Sequence, residues 1–203
     1  MSLKSQKIRR WAATAAASLV LGAHTMAWAA TPEEVVADRT EAVASVLAQP
    51  DSPDRADALG EAIDESLDFA FLAGLALGDH WTERTDEERQ EFMDLLRTLL
   101  QTNYEDRLAG HELDEDYRVH YEEARTRGDR AFVNARVAYD GREERVVYRL
   151  YRGEDGWRIY DLIVDDISLE ETYRDGYVPI IEEHGWSDLI RRMQERVDQL
   201  TED

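Results

Sequence analysis

The segment Trp157–Leu189 reads WRIYDLIVDDISLEETYRDGYVPIIEEHGWSDL, and it predicts a strand that leads into a capped helix. Aromatic and β-branched residues at its start favour a strand. Ser168 can act as the N-cap of the helix, and Glu171, three residues later, completes the pattern of a capping box. Apolar residues at spacings of three and four then mark the buried face of the helix. They are Tyr173, Tyr177, Ile180 and Ile181.

Upstream of this segment, alternating apolar and polar residues predict three more strands. Short turns that contain glycine and aspartate separate the strands, so neighbouring strands should be antiparallel. The apolar positions are Tyr117, Val119 and Tyr121 in the first strand, Val133, Ala135, Val137 and Tyr139 in the second, and Val146, Tyr148 and Leu150 in the third, while the fourth strand runs from Trp157 to Val164.

Helices are expected before and after these strands. Thr31, Ser52 and Thr85 are candidate N-caps of three early helices. The stretch 69–77 is apolar on nearly all sides, which predicts that it is buried. Two helices should follow the last strand. This order predicts an α+β fold in which a four-stranded, mainly antiparallel, curved sheet packs against N- and C-terminal helices as one domain.

Residues 1–29 have the pattern of a secretory signal peptide. Four basic residues precede an apolar run, and small residues stand at Ala27 and Ala29. We expect cleavage after Ala29, which would place residues 30–203 in the periplasm as one domain; an uncleaved segment would instead anchor the chain in a membrane. The sequence contains no cysteine, which excludes lipidation at a cysteine as well as disulfides.

The charge balance is strongly acidic. The net charge is −21, and loss of the four basic signal residues would make it −25. Lysine occurs only at Lys4 and Lys7, so the rest of the chain uses arginine alone as its strong base. This composition indicates adaptation to high salt, or else a codon bias combined with an acidic surface. It argues against nucleic acid as a partner and against lasting adhesion to anionic membranes.

Residues with catalytic or metal-binding chemistry are scattered. His80, His111, His120 and His184 form no metal-binding motif, and the sequence lacks a glycine-rich phosphate loop and a nucleophile elbow. Asp161 and His120 are the mid-strand ionisable residues that an enzyme with an apolar cavity would use. We therefore expect no enzymatic activity, no metal and no cofactor.

The segment quoted first resembles the signature of the MlaC, or toluene-tolerance, family of periplasmic phospholipid-binding proteins. In that family a W-x-x-Y-D strand ends in a short turn with serine, and a helix with a Tyr-Arg pair follows. The chain departs from the family at Asp165-Asp166-Ile167, where many members have a glycine, and this departure concerns the geometry of the turn. The matching residues are Trp157, Tyr160, Asp161, Ser168, Leu169, Tyr173 and Arg174, and upstream the stretches 71–81 and 85–92 with Leu99, Leu100 and Tyr104.

The resemblance implies a pocket between sheet and helices that holds the acyl chains of a lipid and leaves its headgroup outside. Buried hydrocarbon contributes about 0.8 kcal/mol per CH₂, so two chains of about 15 methylenes supply roughly 20 kcal/mol before ordering costs. The expected lipid-binding residues are Phe71, Leu75, Trp81, Phe92, Leu96, Leu99, Leu100, Tyr104, Tyr148, Leu150, Ile163, Ile167, Leu169, Tyr173, Tyr177 and Ile181.

Two arginines are candidates for contact with the lipid phosphate. Arg145 and Arg149 share the strand face opposite Val146, and surface ion pairs are the alternative role for both. The resemblance further implies a monomeric carrier that exchanges glycerophospholipid between an outer-membrane lipoprotein complex and the substrate-binding component of an inner-membrane ABC transporter, with only transient membrane contact. Two other functions stay open: a small cone-fold enzyme similar to ketosteroid isomerase, and an interaction module whose core is filled.

Overall fold

A computed structural model describes residues 30–50, 52–108, 117–139 and 141–201. The expected signal peptide and His111 lie outside these ranges. The helices are α1 (Pro32–Leu47), α2 (Pro53–Ser66), α3 (Phe69–Leu77), α4 (Asp79–Thr82), α5 (Asp86–Leu108), α6 (Leu169–His184) and α7 (Trp186–Thr201). The strands are β1 (Arg118–Tyr121), β2 (Arg125–Arg127), β3 (Arg130–Tyr139), β4 (Arg142–Gly153), β5 (Gly156–Val164) and β6 (Ile167–Ser168).

The predicted N-caps are confirmed. The Thr31 hydroxyl accepts a hydrogen bond from the Glu34 amide at 3.2 Å, and the Glu34 carboxylate accepts one from the Thr31 amide at 2.8 Å. Thr85 forms the same reciprocal pair with Glu88 at the start of α5. Ser52 and Ser168 each accept from the amide three residues later, as N-caps do.

The apolar stretch 69–77 forms a helix of its own. Leu67 adopts an extended conformation and ends α2, and the carboxylate of Asp68 then caps α3 by accepting from the Phe71 amide at 2.9 Å. The Asp68 amide also donates to the Ile159 carbonyl at 2.8 Å. This bond docks the start of α3 on β5, at a stretch of that strand that β6 does not cover.

The sheet is antiparallel, with the order β1-β3-β4-β5-β6 and with β2 paired to β3. It has six strands, so the expectation of four was wrong. The two strands that were missed are the polar tripeptide β2 and the dipeptide β6, and neither is long enough to show alternation. The other strands lie where alternation predicted them, and a bulge between Arg149 and Leu150 shifts the pairing of β4 with β5.

A two-residue turn joins β5 to β6. Asp165 and Asp166 have φ of 50° and 64°, the left-handed values that a type I′ turn requires at both central positions. Aspartate tolerates this conformation better than most residues because its short side chain can bond locally. The turn therefore forms without a glycine at either central position.

Most of the helix layer lies against one face of the sheet, called here the covered face, which carries Val133, Val146, Tyr148 and Ile159. The start of α3 also reaches Tyr151 on the opposite face. The opposite, outer face carries the alternate residues of the same strands. One core cluster joins the covered face to α3, α5, α6 and α7. Within α6, Pro179 interrupts the helical hydrogen bonds, since proline has no amide hydrogen.

Candidate functional site

The apolar interior between sheet and helices is the best candidate for a binding site. Its floor on β3 is built from small residues, Ala131, Val133 and Ala135, all fully buried. Small side chains at the centre of a sheet leave room above it for the large side chains of the opposite layer. Helix α1 lies against β3 with Val36 fully buried. Phe92 and Leu96 of α5 are buried in the same core cluster.

An aromatic cluster in this interior joins four helices. Phe92 lies at its centre, with ring-centroid distances of 5.8 Å to Trp81, 5.9 Å to Tyr177 and 5.5 Å to Trp186. Tyr173 stacks on Tyr177 at 5.4 Å. Edge-to-face and offset ring pairs of this kind contribute about 0.5–1.5 kcal/mol each beyond area burial. The cluster therefore holds α4, α5, α6 and α7 together.

The polar atoms of this cluster are the hydroxyls of Tyr173 and Tyr177 and the indole nitrogens of Trp81 and Trp186. Burial raises the pKa of Tyr177 to about 12 and raises the pKa of Tyr173 further, so both hydroxyls stay neutral at physiological pH. The Trp186 Nε1 is buried and has no hydrogen-bond partner among the described residues. A buried donor without an acceptor costs about 1–3 kcal/mol. A ligand that placed an acceptor beside the Trp186 N–H would remove this cost.

Most of the expected lipid-binding residues meet in this interior. Five of them are buried in the core cluster, and others pack against it from the periphery. The residues brought together are Phe92, Leu96, Leu99, Tyr148, Leu150, Trp81, Leu100, Leu169, Tyr173, Tyr177 and Ile181.

The other expected residues lie elsewhere. Phe71 stacks on Tyr151 of the outer face at 3.9 Å, and Ile163 also belongs to that face because it is paired with Val147. Leu75 is 42% exposed on α3, and Ile167 is 66% exposed beside the β5–β6 turn. The side chain of Tyr104 lies outside the described part of the chain.

Sequence reasoning left out the contribution of α7. Trp186, Leu189 and Met193 are buried in the core cluster, and Val197 packs against it. Their spacings of three, four and four are those of a helical stripe, so the signal was available in the sequence. Leu72 and Ala76 on α3 were missed in the same way, because that helix is apolar on nearly all sides and periodicity cannot select one face.

The two arginines expected at the lipid phosphate have different surroundings. The Arg149 guanidinium lies 3.1 Å from the Asp161 carboxylate and 3.8 Å from that of Glu170. Arg145 is exposed and stands directly opposite Arg136 on β3. Both lie on the outer face, so the sheet separates them from the apolar interior.

The two ionisable residues considered for an enzyme do not form a site together. Asp161 is fully buried, and its carboxylate accepts hydrogen bonds from the Ser168 hydroxyl at 2.8 Å and the Glu170 amide at 2.9 Å. Its oxygens are thus engaged in capping α6 and pairing with Arg149. His120 is exposed on the outer face of β1. Neither group faces the apolar interior, and the cone-fold enzyme is not favoured.

Two concavities of the described surface are open grooves. One, of about 660 Å³, lies between α5 and α7 and is lined by Asp86, Glu87, Gln90, Glu91, Asp94, Leu95 and Gln194. The other, of about 340 Å³, lies along β1, β3 and β4. Neither groove is lined by residues of the aromatic cluster. No helix in the described ranges is long and apolar enough to cross a membrane.

Comparisons with known proteins show which family the sequence is similar to. The family model described as MlaC protein matches residues 33–195. The intermembrane phospholipid transport system binding protein MlaC of Haemophilus influenzae is 23% identical over 141 residues, which are 66% of this chain and 64% of the relative. The chain thus spans slightly less than two thirds of the length of the curated relative that it matches.

A solved structure has the same fold. The phospholipid-binding protein from Ralstonia solanacearum, determined in complex with a phospholipid, superimposes with a TM-score of 0.75 at 23% identity. The match covers 85% of this chain and 99% of that chain. The expected α+β fold with a curved antiparallel sheet is thereby confirmed.

Proposed function

The chain belongs to the MlaC family, and from that premise we propose that it is a phospholipid carrier of an intermembrane lipid transport system. The acyl chains would lie in the apolar interior between the covered face of the sheet and the helices. The observation that carries the proposal is the continuous apolar cluster that joins four helices to a floor of small residues. The fold that holds this cluster is that of a protein solved with a phospholipid.

Lipid would enter by separating the helix layer from the sheet. The side chains that fill the interior would exchange contacts with one another for contacts with acyl chains, so the protein loses little apolar burial on opening. Each buried methylene of the lipid supplies about 0.8 kcal/mol. The buried Trp186 N–H would also gain an acceptor from an ester carbonyl, which removes the penalty of an unpaired donor.

The remaining roles follow from the same premise. The chain would act in the periplasm as a monomer without catalytic residues or cofactors. It would exchange glycerophospholipid between an outer-membrane lipoprotein complex and the substrate-binding component of an inner-membrane ABC transporter. The name of the Haemophilus relative supports a transport system with a separate binding protein.

Extraction of the purified protein with organic solvent, followed by lipid analysis, tests the proposal. We expect glycerophospholipid in near-stoichiometric amount, with two acyl chains and little headgroup preference. A protein that carries no lipid after purification, and takes up none from vesicles, would exclude lipid carriage and favour an interaction module with a filled core.

Variants locate the site. Leu100 of α5 packs against the core cluster, so Leu100→Asp places a charge at the edge of the interior and should reduce the lipid load measured by native mass spectrometry at least severalfold. Ile167→Asp places the same charge at the exposed residue beside the β5–β6 turn, and its lipid load is measured in the same assay. Thr98→Asp adds the same charge to α5 outside the core cluster and serves as the control. Equal loads in all three variants would place the lipid elsewhere.

A further inference from the structure

Arginine is concentrated on the outer face of the sheet. Strand register places on this face eight of the ten arginines of β1 to β5, while the centre of the covered face is apolar. Among the described strand residues of the outer face, the acidic ones are Glu143 and Asp161. The arginines are Arg118, Arg125, Arg127, Arg130, Arg136, Arg145, Arg149 and Arg158. A chain with a net charge of −21 therefore carries one locally basic surface.

Some of these arginines have structural partners. Arg149 pairs with Asp161, Arg158 with Asp155, and the Arg130 guanidinium lies 4.9 Å above the Phe71 ring. These contacts account for the arginines near β5 and α3. Arg118 on β1 donates to the Tyr117 carbonyl at 2.8 Å.

Four exposed arginines lack an ion-pair partner within the described ranges: Arg125, Arg127, Arg136 and Arg145. Arg136 and Arg145 are directly opposite in the β3–β4 ladder, an arrangement that costs free energy because like charges repel. Glu143 is the acidic residue nearest to them on this face of β4, and no ion pair within the described ranges joins it to either arginine, so the pair is poorly explained as a stabilising feature.

An exposed aromatic residue lies among them. Phe132 on β3 is 37% exposed and is paired with Arg125 on one side and Arg149 on the other. Val147 and Ile163 lie half-buried on the same face. An aromatic ring flanked by cationic side chains is the pattern of surfaces that rest on the headgroup region of a bilayer.

We propose that the outer face of the sheet is a docking surface for an anionic phospholipid bilayer. The exposed arginines would contact headgroup phosphates, and the Phe132 ring would enter the interface between headgroups and acyl chains. The covered face would stay on the far side of the sheet, so docking and lipid carriage use opposite faces. The inference therefore goes beyond lipid carriage and does not depend on it.

Charge separation gives this docking a distinctive salt dependence. The helix layer lies about 10 Å behind the sheet, as packed layers do. The Debye length is about 30 Å at 0.01 M salt. At this salt concentration the charges of the acidic helices, about 10 Å behind the sheet, still repel an anionic bilayer and oppose docking. At about 0.15 M the Debye length falls to about 8 Å, which screens the helices but not the arginines in direct contact. Binding should therefore be strongest at intermediate salt and weaken again near about 1 M.

Vesicle co-sedimentation tests the proposal with the whole protein. We expect binding to phosphatidylcholine vesicles that contain about 30% phosphatidylglycerol, a maximum at intermediate salt, and much weaker binding to pure phosphatidylcholine. The double variant R136Q/R145Q should lose about tenfold or more in affinity, since each arginine near an anionic surface contributes about fivefold. This variant removes a repulsive pair and should fold normally. R125Q/R127Q on β2 is a second variant with the same expected loss.

The control is R192Q/R196Q on α7, which removes the same charge from the exposed side of the helix layer and should bind like the unaltered protein. Phe132→Ser should weaken binding without moving the salt optimum. Lipid load by native mass spectrometry is read separately and should be normal in all these variants.

Three results would overturn the proposal. Absence of vesicle binding at every salt concentration would exclude a bilayer as the partner of the outer face and would favour an acidic protein. An equal loss in the α7 control would show that total charge, not the outer face, decides binding. Salt-sensitive self-association in analytical ultracentrifugation, abolished by R136Q/R145Q, would identify the acidic helices of a second copy as the occupant.

Discussion

The guanidinium of Arg149 and the carboxylate of Asp161 form an ion pair at 3.1 Å across β4 and β5, immediately beside the bulge. Asp161 is fully buried and also accepts hydrogen bonds from Ser168 and Glu170 at the start of α6. One carboxylate thus links two strands to the helix that carries the interior tyrosines. The register of the sheet and the position of α6 depend on the same side chain.

Removal of this carboxylate should be costly. Asp161→Ala leaves Arg149 with the more distant Glu170 and leaves the Ser168 hydroxyl and the Glu170 amide without an acceptor. We expect the free energy of unfolding in urea to fall by about 3 kcal/mol, as for other buried pairs that lose one partner. Asp155→Ala breaks a solvent-exposed pair with Arg158 and should cost less than about 1 kcal/mol. Equal losses in the two variants would contradict the linking role of Asp161.

The turn between β5 and β6 should gain stability from glycine. Asp166 has φ of 64°, where a side chain of an L-residue is disfavoured. We expect Asp166→Gly to raise the free energy of unfolding by about 0.5–1 kcal/mol and Asp166→Ala to lower it by a similar amount. Urea unfolding of both variants checks the signs, and a gain from alanine would contradict the left-handed conformation.

Gly176 in α6 can be replaced with benefit. A Cβ atom built there has no heavy atom within 4 Å, and glycine in a helix interior costs about 0.5–1 kcal/mol relative to alanine. Gly176→Ala should therefore raise the thermal midpoint by a few degrees. Gly74→Ala in α3 is the matched control, because its Cβ would meet the Trp81 ring at 3.4 Å and the gain should be smaller. A larger gain at position 74 would show that α3 has more room than the structure indicates.

Stability should decline at alkaline pH. The pKa of Tyr177 is raised to about 12 by burial, above the unfolded value near 10, so its contribution is complete below about pH 10 and is lost as the pH rises toward 12. The loss from this residue should be about 2 kcal/mol, with Tyr173 adding to it. Urea unfolding at increasing pH measures the decline, and Tyr177→Phe should make it less steep. An identical slope in the variant would assign the decline to other groups.

The sequence predicted the long elements of the fold well, because alternation and helical spacing report burial directly. Strands β3, β4 and β5 were found in this way, and the N-caps fixed the starts of α1, α5 and α6. The short strands β2 and β6 were missed because two or three residues contain no period. The separate start of α3 depended on Asp68, whose capping bond is not visible in a stretch that is apolar throughout.

The candidate site was less predictable. Periodicity shows that Leu96 and Tyr173 are buried, but it does not distinguish burial against side chains from burial against a ligand. The role of Asp161 was also hidden, because its partners come from a neighbouring strand and from the helix after the turn. The basic outer face was partly visible, since Arg145 and Arg149 alternate along one strand, but its extent required the register of five strands.

Pro179 gives α6 a point of articulation. Without an amide hydrogen at this position, the Asp175 carbonyl has no helical partner, and the helix bends there at lower cost than where its ladder is complete. The half before this point is fastened to the sheet through Asp161, and the half after it carries Ile180 and Ile181 toward the core. The C-terminal half of α6 can therefore change its angle to the sheet at Pro179 while the N-terminal half stays attached through Asp161.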